Sequence, residues 1–461
     1  MNFTSVNPAT GKPLAIFPAH TTADVQQILL RTHTAQEAWA RTSLSDRLAV
    51  LARLTGVLTA RVDEAAAMIT GEMGKPLTQA RAEVLKCATV VAFALEQAPA
   101  LVADRDISTE YVVSRIQFRP MGIVLSVMPW NFPFWQFFRF AVPALAMGNA
   151  VLLKHAPTTW GCAELAVEFC REAGLPEGLV HTVRVDVPDV ESIIADHRVR
   201  AITFTGSTQG GRAVGALAGR YVKKAVLELG GSDAYVVLED ADLDRAASMC
   251  VQQRCVNTGQ SCIAAKRFVV HTSVADAFRD RVVQQLAALR VGDPLDPSTD
   301  LGPLARADLK QGLIDQVARA VEQGAQLWVQ GALGGVSDVD IDGPGFFVRP
   351  ALLTNVQPGS VADQEELFGP IAALITVDSD DEAVAVANGN SFGLGAAVFS
   401  QDRDRAHGIA ARLQAGTITI NDVVRSDARL PFGGVKDSGY GRELGTQGML
   451  EFVNVTTVVE P

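Results

Sequence analysis

The sequence has no obvious bilayer span, little cysteine and a deficit of positive charge. Its longest greasy stretch, Phe132 to Leu153, is broken by Arg139, Pro143 and Asn149, which makes it a poor candidate for crossing a membrane. The opening residues lack a basic start followed by an apolar core, so no secretory signal is read and a cytoplasmic location is expected. Lys and Arg number 40 against 51 Asp and Glu, giving a net charge of −11. Nucleic acid and anionic membrane both require a basic face, so neither is expected as a partner. A local cationic site for a small anion stays open. Six cysteines in 461 residues are no disulfide framework. Cys162 and Cys170 fall on a helical pattern and read as buried apolar residues. Cys250, Cys255 and Cys262 form no CxxC pair and have no neighbouring His, so no metal site is expected.

What is present is a long alternation of strands and helices. The chain is long enough for two or three domains. From Gly122 to Gly230, apolar runs (Gly122–Met128, Ala150–Lys154, Leu179–Val185, Ala201–Thr205, Val222–Leu229) alternate with helical patterns (Phe134–Met147, Thr159–Ala173, Pro188–Asp196, Ser207–Arg220). That alternation predicts a parallel sheet covered by helices, with ligands at the C-terminal strand ends. A second alternation places strands at Ala234–Leu238, Lys266–His271, Ala372–Val377, Gly395–Phe399 and Thr417–Asn421. Its helices are Ala275–Leu289, Arg306–Gln323, Asp380–Gly389 and Asp402–Ala411, and Gly331–Gly345 reads as a turn-rich connector.

Three segments carry chemistry. Cys262 ends Asn257-Thr258-Gly259-Gln260-Ser261-Cys262, a small Gly-containing turn between a helix and a strand, where a thiol can be exposed enough to attack. A buried apolar cysteine is the competing reading. Glu228 ends the run Val226-Leu227-Glu228-Leu229. Burial among such residues raises a carboxyl pKa toward that of a general base at neutrality; a structural ion pair explains the residue equally well. In Pro129-Trp130-Asn131-Phe132-Pro133 the Asn131 amide is an uncharged donor suited to an oxyanion.

Together these segments resemble the aldehyde dehydrogenase superfamily. The resemblance runs from Asn7-Pro8-Ala9-Thr10-Gly11 and Gly71-Glu72-Met73-Gly74-Lys75-Pro76 through Phe204-Thr205-Gly206-Ser207-Thr208 and Glu228-Leu229-Gly230-Gly231. It continues through Glu365-Glu366-Leu367-Phe368-Gly369-Pro370 to Pro431-Phe432-Gly433-Gly434-Val435-Lys436-Asp437-Ser438-Gly439. It implies an α/β fold with a Rossmann-type cofactor domain (1–105 and 120–229), an α/β catalytic domain (230–439) and a small β oligomerisation arm (106–119 and 440–461). Homodimers and homotetramers both fit such an arm. Its β-branched segments (Tyr111-Val112-Val113, Val453-Asn454-Val455) suit strands that pair with a neighbouring subunit, or alternatively an intramolecular hairpin.

The resemblance also assigns roles. Cys262 attacks the aldehyde, Asn131 and the Cys262 N–H hold the oxyanion, and Glu228 activates water against the thioester. Trp130, Lys154, Gly206, Ser207, Gly211, Glu366 and Phe368 belong to the nicotinamide dinucleotide site. Many NAD-selective members carry a Glu three residues after the Lys. Here the sequence reads Lys154-His155-Ala156-Pro157, and without that carboxylate NADP acceptance is expected, alongside NAD.

Within the family the chain is most similar to short bacterial succinate-semialdehyde dehydrogenases. Trp135 and Arg139 lie four residues apart on one helical face just after Asn131. Arg139 is read as a clamp for a substrate carboxylate, with a structural ion pair as its competitor. By the resemblance, Ser426 shares that carboxylate, and Arg425 is a further cation nearby. Glutarate semialdehyde differs by one methylene, worth only ~1–3 kcal/mol of discrimination, so a glutarate-semialdehyde or general dehydrogenase stays open. A CoA-acylating enzyme commonly lacks the base found at Glu228. A non-catalytic structural relative would be expected to lose Cys262 or Glu228, and a cofactor-free thiol esterase would not need the complete cofactor site.

Overall fold

The computed structural model describes residues 1–461. Two sheets organise it. The first has the order Gly439–Tyr440, Lys224–Glu228, Val199–Thr205, Ile123–Met128, Ala150–His155, Val180–Thr182, and all neighbours are parallel except the first pair. Its central strands are buried except at Arg200, which is exposed, and Val127, which is partly buried, as expected of Val/Ile/Leu runs covered on both faces. The chain leaves Ile123–Met128 for Ala150–His155 on one side and returns to Val199–Thr205 on the other. That reversal opens a crevice at the strand ends, where Trp130 and Asn131 follow.

The second sheet has eight strands in the order Ala332–Leu333, Gln326–Val329, Ala351–Thr354, Ile371–Val377, Ala265–His271, Asp233–Val237, Gly395–Phe399, Thr417–Ile420. Its central strands are parallel, and Gln326–Val329 pairs antiparallel with both its neighbours. The strand expected at Leu179–Val185 shrinks to Val180–Thr182, at the sheet's edge. The Gly331–Gly345 connector contains a two-residue strand and one 3₁₀ turn.

A third, antiparallel sheet joins Val453–Glu460, Val113–Pro120 and Arg105–Asp106. Asn149 ties it to the first sheet: its Oδ1 accepts from the Met121 and Gly122 amides, and its Nδ2 donates to the Phe452 carbonyl. Val455, Val459, Tyr111 and Val112 stay exposed in this region. Tyr440, the first residue of the segment expected to belong to the arm, instead pairs with Leu227 at the edge of the first sheet.

The helix Leu77–Leu101 is long and apolar enough to span a bilayer by length and composition. Its stripe Ala80, Val84, Cys87, Val91 and Ala94 is buried in the core shared with the Trp135–Ala146 helix. Two charged residues on the helix, Glu83 and Lys86, face the site described next.

Candidate functional site

A cavity of about 750 Å³ opens between the helices Leu77–Leu101, Trp135–Ala146 and Leu243–Cys255 and the loop 423–427. Cys262, Trp135, Arg139 and Ser426 all line it, so the structure gathers the expected nucleophile and the three expected substrate residues into one space.

The nucleophile turn is held by unusual backbone. Asn257 and Thr258 have positive φ (53° and 55°), and Gly259 follows at 75°; a Cβ on Gly259 would collide with Pro370 N at 2.7 Å. The Asn257 amide N–H donates to Gln79 Oε1 at 2.8 Å, and the Gln260 side chain accepts from the Ala305 amide at 2.9 Å. Cys262 is half-buried. Burial pushes its thiol pKa up to about 12, opposed by the charges of Lys266 and then Arg139. Lys266 is buried beneath the turn, where its Nζ donates to the Ser261 and Cys262 carbonyls (2.9 and 2.7 Å) and pairs with Glu366 at 3.0 Å.

Asn131 is anchored against this turn. Its Nδ2 donates to the Gln260 carbonyl at 3.1 Å, and its own carbonyl accepts from Lys75 Nζ and Asn257 Nδ2 (2.9 and 2.8 Å). Lys75 in turn pairs with the buried Glu83, whose Oε1 accepts from the Phe134 and Trp135 amides. One buried carboxylate thus satisfies two orphan donors at the start of the Trp135–Ala146 helix and neutralises the lysine that grips Asn131.

Glu228 does not line the cavity with Cys262. Its carboxyl lies against Gly433, where a Cβ would come within 2.6 Å of Oε1, and neither oxygen has a hydrogen-bond partner. Burial, and then the charge of Glu443, raise its pKa well above the usual carboxylate range; Arg139 and Arg442 oppose them. Its surroundings therefore favour the protonated carboxyl over the carboxylate.

Arg139 shows both faces weighed from the sequence. It lines the cavity, stacks over Phe432 with 5.0 Å from its Cζ to the ring centroid, and forms a buried ion pair with Glu443. Its charge therefore already has a counterion.

The dinucleotide residues fit a phosphate cradle and a ribose contact. Ser207 caps the 13-residue helix Thr208–Arg220, with its Oγ accepting from the Gly210 amide at 3.2 Å. A Cβ on Gly206 would press on the Phe204 ring at 2.7 Å, and one on Gly211 would strike the Leu229 side chain. Lys154, at the end of its strand, is buried and makes no ion pair; burial lowers its pKa, against the charge of Asp186. Pro157 is exposed just beyond. Glu366 accepts from the Gly231 amide at 3.2 Å and lies over Gly230, where a Cβ would meet its Oε2 at 2.6 Å. Phe368 meets Trp130 edge-on with ring centroids 5.8 Å apart. The intervening His155 is structural: it is buried, with its pKa pushed down to about 4, and its ring contacts Thr159 and the Pro133 carbonyl.

Sequence reasoning missed Lys75, Glu83, Lys86, Lys266 and Glu443. The available signal was charge in buried periodic positions. Glu83 and Lys86 follow the apolar spacing of a core helix, and Lys266 and Arg267 stand side by side in an otherwise apolar strand.

The chain is similar to known proteins over nearly its whole length. The model of the aldehyde dehydrogenase family matches residues 1–458. A succinate semialdehyde dehydrogenase [NAD(P)+] of Escherichia coli (strain K12) is 44% identical over 454 residues, covering 98% of this chain and 97% of that protein. A succinate-semialdehyde dehydrogenase [NADP(+)] of Mycobacterium bovis (strain BCG / Pasteur 1173P2) is 43% identical, with 99% of both chains covered. The crystal structure of succinic semialdehyde dehydrogenase from Streptococcus pyogenes in complex with NADP+ superposes with a TM-score of 0.95 at 34% identity, covering both chains fully.

Proposed function

This chain belongs to the aldehyde dehydrogenase family, and from that premise we propose that it oxidises succinate semialdehyde to succinate with NAD or NADP. The observation that carries the reading is the shared cavity: the thiol that would attack the aldehyde opens into the same space as Arg139 and Ser426, groups able to hold a carboxylate. The relatives named as succinate-semialdehyde dehydrogenases support the substrate class. The absence of a carboxylate at Pro157 and the NADP+ complex of the Streptococcus pyogenes relative support acceptance of both cofactors.

In this mechanism Cys262, as thiolate, adds to the aldehyde carbon, with Lys266 and Arg139 as the nearby positive charges that favour its ionisation. The resulting oxyanion is held by the Asn131 amide, released from the Gln260 carbonyl, and by the Cys262 backbone N–H. The nicotinamide, when bound, accepts the hydride. Lys154, Ser207 and the glycines Gly206 and Gly211 would hold its dinucleotide, with Glu366 at the ribose and Phe368 and Trp130 beside it. Loss of hydride from the tetrahedral carbon leaves a thioester on Cys262. Glu228 rotates from its seat at Gly433, gives up its proton to solvent once it leaves that burial, and as the carboxylate takes a proton from water, whose hydroxide attacks the thioester. The carbon–sulfur bond breaks, releasing the acid and the Cys262 thiolate.

The exposed Val455, Val459, Tyr111 and Val112 support assembly of the arm against a second copy, as a dimer or tetramer. All six cysteines are free thiols, which supports a reducing, cytoplasmic setting.

The test is kcat/KM for succinate semialdehyde, glutarate semialdehyde and butanal, with NAD and NADP separately. At least tenfold preference for the carboxylated aldehydes is expected with both cofactors. Equal use of butanal would reduce the reading to a general aldehyde dehydrogenase.

A further inference from the structure

Four cations line the cavity: Lys75, Lys86, Arg139 and Arg425. Three of them have carboxylate partners. Lys75 pairs with Glu83, Arg139 with Glu443, and Arg425 with Asp422 at 3.2 Å. The acids of the lining are likewise matched: besides Glu83, Asp427 pairs with Arg429 at 2.7 Å and Asp300 faces Arg290 at 3.8 Å. Lys86 alone forms no ion pair. Its Nζ lies 4.2 Å from the centroid of the Trp135 ring and donates to Ser426 Oγ at 2.8 Å.

A half-buried ammonium without a counterion is costly, and such a group marks a place where an anion is meant to arrive. The geometry around it suits a carboxylate. An ammonium has three donors and Ser426 takes one, leaving two. Because the Ser426 oxygen accepts from Lys86, its hydroxyl proton is free to donate to the same anion. Arg139 can add a hydrogen bond, but its charge is offset by Glu443 in a buried pair of no net charge.

Building on the proposed substrate, we propose that Lys86 is the specificity-determining charge of this site, and that Lys86 with Ser426, rather than Arg139, supplies the net electrostatic attraction for the aldehyde's distal carboxylate.

The environment adds a pH signature. Burial, and then the neighbouring Arg139 charge, pull the Lys86 pKa down to about 8; Cys87 and Glu83 on its own helix, and Asp427 on the facing loop, pull the other way. Arg425 on that loop is engaged with Asp422, and Asp427 with Arg429. The free enzyme therefore loses this cation as pH rises through about 8. Since kcat/KM reports the ionisation of the free enzyme, preference for a carboxylated aldehyde should fall over the same range.

The experiment measures the ratio of kcat/KM for succinate semialdehyde to that for butanal, from pH 7 to 9.5, in wild type, Lys86→Met and Lys86→Arg. Taking the ratio cancels ionisations common to both substrates, Cys262 and Glu228 included. The expected result is a wild-type ratio that declines above pH 8. Lys86→Met should lower the ratio at pH 7 by about 10–100-fold, the range for a charge-assisted hydrogen bond, with butanal turnover within about threefold of wild type. Lys86→Arg should keep the preference and flatten the pH dependence, because guanidinium stays charged. An unchanged ratio in Lys86→Met overturns the inference, as does an equal loss on both aldehydes, which would mean a structural role. A wild type that shows no preference for the carboxylated aldehyde at all brings down the substrate reading itself, and this inference with it.

Discussion

Glu228 is predicted to weaken the fold that it serves. The unfolded chain releases this carboxyl proton near pH 4.5, while the folded chain, with the group buried beside Glu443, retains it well above that value. Above the unfolded pKa the native form thus binds more protons than the unfolded form, and stability falls as pH rises. Each pH unit over which only the native form keeps its proton removes about 1.4 kcal/mol. Glu228→Gln keeps the shape and removes the titration. The variant should therefore match wild type at pH 4.5 and gain on it by about 1.4 kcal/mol per pH unit above, until the native carboxyl itself ionises. Urea unfolding of both proteins between pH 5 and 8, compared at a common m-value, measures the gap. A gap that does not change with pH would mean that Glu228 is ionised in the fold, and the account of a neutral, unpartnered acid would be wrong. The same variant carries a kinetic signature. With thioester hydrolysis disabled and hydride removal intact, it should release one equivalent of NAD(P)H per Cys262 in a burst and then stall. A stalled enzyme with no burst would place the role of Glu228 before hydride removal.

Two other expectations concern residues around the cavity and the cofactor site. Glu83→Gln keeps one acceptor for the Phe134 and Trp135 amides but leaves Lys75 as an uncompensated buried charge, so unfolding free energy should drop by about 3–5 kcal/mol. Because Lys75 holds the Asn131 carbonyl, kcat should fall as well; a variant with wild-type denaturation and kcat would remove this network from the argument. Pro157→Glu restores a carboxylate where the chain has none, and KM for NADP should rise at least tenfold while that for NAD stays within about threefold; equal KM shifts for both cofactors would place position 157 away from the 2′-phosphate.

The sequence was most legible where burial is local. The strands Ile123–Met128, Ala150–His155 and Gly395–Phe399 lie within a residue of their expected bounds because an unbroken apolar run reports a strand covered on both faces. Cys262 and Ser426 were legible through motifs, since turn chemistry and a family pattern are written in adjacent residues. The charge pairing was not. Lys86 and Ser426 are 340 positions apart, and no periodicity states that one helix will carry its lysine to that loop. Arg139 illustrates the limit. Both readings offered from sequence, a substrate clamp and a structural pair, rested on the helix alone, while the deciding neighbour is Glu443, far along the chain. Glu228 was legible as a buried acid, but its seat against Gly433, away from the cavity, depends on the return of a distant loop.

That return has a consequence for how the enzyme is made. The strand Lys224–Glu228 becomes an interior strand only when Gly439–Tyr440 pairs with it, and Ser438 Oγ donates to the Gly230 carbonyl 208 positions earlier in the chain. At about 5–20 residues per second, a ribosome needs roughly 10–40 s to cover that interval. Throughout it the nascent sheet presents a bare edge, open to pairing with another chain. Cys262 emerges early in the interval, yet Glu228 gains its enclosure, and Arg139 its counterion, only near its close. Synthesis thus delivers the nucleophile well before the base is seated, and a chain halted in between would bear a thiol able to be acylated with no means of release.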